Sequence, residues 1–581
     1  MRLIRALLAL VISLALAGVV KATAAEAAVA CRVTYAANSW TGGFTANLTI
    51  RNLGDRVNGW TLRFSFAAGQ TVTNGWGARW SQVGAAVTAR NPTTSPVIEP
   101  GATVTLGFNG RAPGANPSPT VFTLNNVTCT GIPSPSPSPS PSPSPSPSPS
   151  PSPSPVVRVN NPYLGARGYL NRDYTDKVNA AATAEGGTLG DQMRRVAFQP
   201  TALWLDSIAA IGAVRGGKSL RQHLEAALVQ SLSQGNNDPV TVTLVLSNLP
   251  EKDCAGLAAN AELTADPAGL SAYRTQFVDP IAAVLADPRY RDLRIVTILE
   301  PGTLTSMVAF NATNYRCMTV AQSGVYQDGL RYAIGKLRAV QNVYVYLDIA
   351  RASLGGYDNL AQPLVNMYNS VIAGTPGVDG FATNVSEYVP LEETFLPDPL
   401  KLIGGSPIWI SRFFDFNKVL DELDYVTGMR NAFIAAGQPS SIGMLVDTSR
   451  NGWGGPDRPS VVSTSMDLNT YVDQSRIDRR PHRFAWCNQV GAGIGPRPAA
   501  APHAGVDAYV WAKPPGESDG FSERVGAPDI PGLRHNPWCD PDYNPPTGAS
   551  PRSNAMDNAP LYGSFFPAHF RTLVQNANPV L

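Results

Sequence analysis

Two hydrophobic periods run along this chain. Between residue 31 and about residue 130, apolar and polar side chains alternate, as in Phe44-Thr45-Ala46-Asn47-Leu48-Thr49-Ile50 and Trp60-Thr61-Leu62-Arg63-Phe64-Ser65-Phe66, with Gly and Asn between the runs. A period of two broken by turn residues predicts an all-β sandwich of about 100 residues. After residue 156, short apolar runs predict strands near Val196 and over Val240 to Leu246, Ile295 to Leu299, Val343 to Leu347, Val378 to Phe381, Ile442 to Val446 and Val506 to Val510. Between several of them lie amphipathic helical stretches such as Leu270 to Ala286 and Val325 to Val340. Repeated strand–helix units imply a parallel sheet, and their number favours a closed α/β barrel over an open sheet.

The two patterns meet at an uninterrupted alternation of proline and serine from Pro133 to Pro155. Proline fixes φ and lacks an amide hydrogen, so this stretch is expected to be an extended, solvated spacer of roughly 70 Å at about 3.1 Å per residue. At the other end, Met1 to about Ala30 reads as a secretory signal. Arg2 and Arg5 precede an apolar run from Leu7 to Val20, and small residues follow. That run is short for a membrane span, although an uncleaved anchor stays open. The expected organisation is therefore a signal at 1–30, a β-sandwich at 31–132, a linker at 133–155 and a barrel at 156–581. The mature chain is expected outside the cell and off the membrane.

Six cysteines suit that compartment. Chain order suggests Cys31 with Cys129, Cys254 with Cys317 and Cys487 with Cys539, although sequence alone permits 15 pairings. The domain cut carries the preference, since only Cys31 and Cys129 precede the linker. Net charge is +2 over 581 residues, which gives no electrostatic reason to expect nucleic acid or an anionic membrane as partner. Five histidines, without C-x-x-C or H-E-x-x-H, give no metal-ligand signature, so neither metal nor cofactor is expected. Nothing demands more than a monomer.

Candidate chemistry lies where barrel strands end. Asp253 follows the Val240 strand, Glu300-Pro301-Gly302 the Ile295 strand, Asp348 the Val343 strand, and Lys513 to Gly520, with Glu517 and Asp519, the last. Any one such acid is more often a cap or an ion-pair partner. Carboxylates converging on one rim without a metal motif suit glycoside hydrolysis, which needs an acid and a base flanking one bond. In the first unit, Trp60 alternates with core residues, whereas Trp40 and Trp76 sit in polar, Gly-flanked contexts and are candidates for an exposed sugar-stacking platform.

Cysteines near both ends, NSWTGGFTANLTI (38–50), NGWTLRFSF (58–66) and GFNG (107–110) resemble a family 2 carbohydrate-binding module over the whole first unit. The resemblance implies binding of crystalline cellulose through a row of tryptophans, with Trp40 and Trp76 at two of the positions and Thr94 at the third, which weakens the grip.

TALWLDSI (201–208), NLPEKDCAGLAANAEL (248–263), IGMLVDTSRNGWGGPDRP (442–459), DLNTYVDQSRIDRR (467–480), WCNQVGAGIG (486–495) and VDAYVWAKPPGESDG (506–520) resemble glycoside hydrolase family 6 over essentially the whole second unit, and most of all its bacterial exo-acting cellobiohydrolases. The resemblance implies a distorted β/α barrel that hydrolyses β-1,4-glucosidic bonds with inversion. It also implies that Asp253 supports the acid, that Asp519 is a base or water-orienting carboxylate, and that Trp204, Asp206, Asn384, Trp486, Lys513 and Glu517 line the substrate, with Asp348 at its strand end a further substrate-binding candidate. Core packing is the plainer reading of Trp204 and Trp486.

The chain departs from the family at the proton donor, because the expected aspartate is Gly302. Ser247, Lys252, Arg351 and Leu354 also replace expected side chains nearby. Glu300 lies two residues down the strand, about 6.6 Å away, and is not expected to substitute. The sequence thus points to a secreted cellulose hydrolase of low turnover, with a catalytically silent glucan-binding protein as the alternative.

Overall fold

The period-two segment pairs as two main antiparallel sheets, with a two-stranded pair of Val57–Asn58 and Val97–Ile98 beside them, in the computed structural model, which describes residues 31–129 and 158–581 apart from 41, 93–95, 100, 120, 126, 234–237, 257–259, 525, 527, 531–532 and 545–551. The signal segment, the Pro-Ser run and Thr94 lie outside the described residues. One sheet orders Cys31–Trp40, Gly43–Asn52, Thr103–Arg111 and Thr71–Trp76. The other orders Val127–Thr128, Phe122–Leu124, Thr61–Ser65, Ala86–Arg90 and Arg79–Val83. Inward positions of both sheets, among them Phe44, Leu48, Ile50, Trp60, Leu62, Phe64 and Phe108, form one core. A disulfide joins Cys31 near its start to Cys129 near its end. Trp60 is completely buried, so Trp60→Ala is expected to cost about 3–5 kcal/mol, read as a lowered denaturation midpoint of this unit.

A second compact unit follows residue 150. Its sheet runs in the order Arg167–Gly168, Val240–Leu246, Arg294–Leu299, Val343–Asp348, Gly380–Thr383, Gly443–Asp447 and Val506–Val510, all parallel, with an antiparallel edge strand at Ala499–His503. Leu203–Leu205 also pairs in parallel with Val240–Leu246. The strands are apolar on both faces because they separate two cores. Val242, Leu244 and Leu246 pack outward with the helices. Val245, Val296, Ile298, Tyr344, Tyr346 and Leu445 fill the barrel interior.

The barrel is distorted at one seam. No strand ladder joins Leu203–Leu205 to Val506–Val510 among the described residues. The gap is crossed instead by the Ala202 amide, which donates to the Trp511 carbonyl at 3.1 Å, and by Trp204 Nε1, which donates to the Ala512 carbonyl at 2.7 Å.

The strand expected near Val196 is absent. Gly187–Val196 is helical, and Gly190, Met193 and Val196, three apart, form its buried face. Helical spacing overrides the short apolar run, and the strand comes later, at Leu203–Leu205.

Register aligns the strand ends. Leu246 pairs with Leu299 and Leu299 with Leu347, so Ser247, Glu300 and Asp348 leave the sheet at one level. Two further disulfides, Cys254–Cys317 and Cys487–Cys539, tie down loops on this unit. Among the described residues no helix is long and apolar enough to cross a membrane.

Candidate functional site

At the C-terminal rim, Gly302 caps the helix Thr303–Phe310 with φ +69, and apart from its own residue and immediate chain neighbours no heavy atom lies within 4 Å of where its Cβ would stand. The position is open space. Its amide donates to Asp348 Oδ1 at 2.7 Å, and the Ala350 amide donates to the same oxygen at 2.8 Å. Asp348 Oδ2 is buried without a hydrogen-bond partner, and burial pushes the carboxyl up to about 8 against those two amides.

Glu300 faces elsewhere. Its carboxylate accepts from the amides of Asn248 at 3.0 Å and Leu249 at 3.1 Å and from the Tyr273 hydroxyl at 3.0 Å, all buried. Burial raises it to about 7, but three fixed donors leave it no path to a bond lying over Gly302.

Asp253 has φ +63 and solvent-exposed surface. Desolvation by the neighbouring protein nevertheless raises it to about 7 against the attraction of Arg316 and Lys252. A Cβ on Gly256 would collide with its Oδ2, so the carboxylate as placed lies against that glycine.

Asp519 is the opposite case. Arg450 Nη1 donates to its two oxygens at 2.8 and 2.7 Å, the Tyr388 hydroxyl donates at 2.8 Å, the Asn488 amide donates at 2.9 Å, and Lys513 Nζ lies 3.6 Å away. Although burial opposes it, Arg450 and then Lys513 hold this carboxyl below the usual range. Such a group keeps a negative charge in place and orients donors, but it is a weak proton acceptor. Lys513 is itself lowered to about 8 by burial, with Asp519 pulling the other way.

Trp204 is nearly buried, with Lys513 Nζ 5.3 Å from its ring centre. Asp206 pairs with Arg215, and its backbone carbonyl accepts from Lys252 Nζ at 2.6 Å. Glu517 is buried and lies 3.4 Å from Arg215. Trp204, Asp206, Lys513 and Glu517 thus form one cluster through shared cations. Asn384 is fully buried, and its amide nitrogen donates to the carbonyls of Val389 at 3.1 Å and Asp447 at 3.0 Å. Both its N–H bonds are spent on backbone, which suits holding a loop. Trp486 is half-buried beside Cys487.

Sequence reasoning missed several partners. Arg450 lies inside a quoted motif, which was the available signal, but Tyr388, Tyr562 and Arg215 carry none. Arg351 was noted, whereas its partner was not. Arg351 Nη1 lies 2.6 Å from Glu387 Oε1 in a nearly buried ion pair, and burial raises Glu387 despite Arg351. Among the described residues no group of three or more His, Cys, Asp or Glu side chains is placed to hold a metal ion.

In the first unit, Trp40 and Trp76 sit on the outermost strands of the four-stranded sheet and are 56 % and 42 % exposed. Each faces a glycine on the next strand, Trp40 opposite Gly43 and Trp76 opposite Gly107, and a Cβ on either glycine would collide with the indole. The rings therefore lie against backbone, each with surface left to solvent. Trp80 is only partly buried. It packs on Phe108, with ring centres 4.9 Å apart, while its Nε1 donates to the Trp76 carbonyl at 3.2 Å.

Residues 163–577 match the family model described as glycosyl hydrolases family 6, and residues 31–129 match one described as a cellulose binding domain. The chain belongs to glycosyl hydrolase family 6. It is similar to Exoglucanase A of Cellulomonas fimi, with 44 % identity over 435 residues, covering 73 % of this chain and 49 % of that protein. This family 6 chain thus spans about half the length of that relative. It is also similar to 1,4-beta-D-glucan cellobiohydrolase C of Emericella nidulans, with 30 % identity over 427 residues, covering 72 % and 79 %. Among solved structures, the catalytic domain of Cellulomonas fimi Cel6B has 44 % identity and a TM-score of 0.70, covering 73 % of this chain and 97 % of that one. CcCel6C, a family 6 enzyme from Coprinopsis cinerea, has 27 % identity and a TM-score of 0.57, covering 72 % and 99 %.

Proposed function

We propose that this family 6 chain is a secreted, monomeric β-1,4-glucan hydrolase acting on cellulose from chain ends, with inversion and with low turnover. Family membership supports the reaction class, and the single observation that carries the low turnover is the empty space at Gly302. In this reading residues 1–30 export the chain, 31–132 grip cellulose, and the run at 133–155 tethers that grip to the barrel of 156–581. Tethering raises the local concentration of glucan ends without any new contact.

Within the barrel, Trp204, Asp206, Lys513, Glu517 and Trp486 hold the sugar chain. Asp519, fixed by Arg450, supplies negative charge beside the reacting carbon and orients the attacking water. Asp348, raised by burial, and Asp253, exposed but raised by desolvation from the protein around it, hold protons near the leaving group. Neither stands where Gly302 would carry an acid, so the leaving oxygen departs poorly protonated. A missing general acid costs about 10²–10⁴ in rate.

A dinitrophenyl β-cellobioside, whose leaving group needs no proton, is expected to be cleaved much faster relative to cellotetraose than an intact acid would allow, with the product first appearing as the α-anomer by proton NMR. The second reading, a silent glucan-binding protein, is favoured by Glu300 being locked away from Gly302. Binding of both substrates with cleavage of neither would establish it. Trp40→Ala and Trp76→Ala are each expected to weaken adsorption to crystalline cellulose by about tenfold. Undiminished pull-down would remove the platform assignment.

A further inference from the structure

Arg215 has no role in the chemistry above, yet it occupies the centre of the sugar-binding cluster. It stands in the turn Val214-Arg215-Gly216-Gly217 with φ +50, a left-handed backbone that favours glycine. Its guanidinium carbon lies over two rings, 4.6 Å from the centre of Tyr562 and 5.5 Å from that of Trp204. The same guanidinium pairs with Asp206 and places Nε 3.4 Å from Glu517 Oε2. Gly563 leaves room for it, since a Cβ there would collide with the guanidinium.

A sugar ring stacks on an indole through its apolar face and offers hydroxyls to nearby carboxylates. Arg215 already lies over that indole, as does Lys513 Nζ at 5.3 Å, and Arg215 already engages both carboxylates. We propose that Arg215 is a specificity-determining plug, held between Trp204 and Tyr562, which a glucosyl ring must displace before it can stack on Trp204. The inference rests on the reading of Trp204 and Glu517 as sugar-binding positions. A clamped form that outweighs the open one about ten to one lowers affinity for chains reaching this end by about tenfold. It favours glycans that bind without filling the Trp204 end.

The test is calorimetric titration of the full chain with cellotetraose. Arg215→Gly suits the left-handed backbone and is expected to bind about tenfold more tightly than wild type. Tyr562→Ala opens the other wall while leaving every ion pair, and it is expected to shift affinity the same way. It decides the matter if Arg215→Gly lowers the unfolding midpoint severely. Folded variants with unchanged or weaker binding overturn the plug. Trp204→Phe, alone and with Arg215→Gly, separates the underlying reading. If it weakens binding while Arg215→Gly changes nothing, only the plug fails. If it leaves affinity unchanged in both backgrounds, the sugar platform itself fails and the plug with it.

Discussion

Gly302→Asp is expected to raise turnover of cellotetraose by about 10² or more, toward the lower end of what a positioned general acid contributes. Space is available, because nothing beyond its immediate chain neighbours lies within 4 Å of the missing Cβ. The backbone there has φ +69, a left-handed conformation that aspartate tolerates better than most residues, so the strain is about 1 kcal/mol. Asp348, whose Oδ1 accepts from the Gly302 amide, would stand beside the new carboxyl. Asp348 is itself kept neutral by burial and adds no like charge, so the introduced group holds its proton only as far as its own desolvation raises it. The gain should be much smaller on the dinitrophenyl cellobioside, whose leaving group needs no proton. Ser247, Arg351 and Leu354, which replace side chains expected from the family resemblance, keep the expectation at the low end. A folded variant that binds cellotetraose and turns it over no faster than wild type would show that the acid is not what limits this chain.

Alternation along the chain carries most of the fold. Phe44 to Ile50 and Trp60 to Phe66 read as strands because every second side chain enters one core. Val240 to Leu246 reads as a strand because it feeds two cores. Val196 misled for a local reason: a short apolar run has no period of its own, and spacing back to Met193 and Gly190 made it a helix end. The carboxylates of the rim were legible because Glu300 and Asp348 stand at strand ends and Asp253 and Asp519 in the loops that follow strands. Their states were not.

Asp519 and Asp348 look alike in sequence, yet one is held ionised by Arg450 and the other is kept neutral by burial. Those differences come from side chains brought together across long stretches of chain, such as Tyr388 with Asp519 or Arg215 with Tyr562. Nothing periodic announces such meetings. Asn384 shows the same limit, since its position was readable but the spending of its amide on Val389 and Asp447 was not.

Buried acids also set how the barrel responds to pH. The unfolding midpoint of the C-terminal unit is expected to rise by several degrees as pH is lowered from about 8.5 to about 6.5. Asp348, Glu393 and Glu422 are each pushed up to about 8 by burial, even though backbone amides such as Ala352 N on Glu422 and Asp478 N on Glu393 act in the opposite direction. The folded chain keeps these protons to about pH 8, whereas unfolded carboxyls release them near 4. Their contribution is therefore complete below about pH 4, falls as pH climbs through that interval and is lost above about 8. Across the two pH units proposed, each group adds about 1–2 kcal/mol on acidification. Lys513, lowered to about 8, opposes this only at the upper edge. His223 and His569 are held neutral by burial, at about 4 and about 3, and subtract stability only once unfolded imidazoles protonate below about 6.5. Glu393→Gln and Glu422→Gln should each flatten the slope in scanning calorimetry. A midpoint that stays level or falls over this interval would mean that these carboxyls are ionised in the folded barrel.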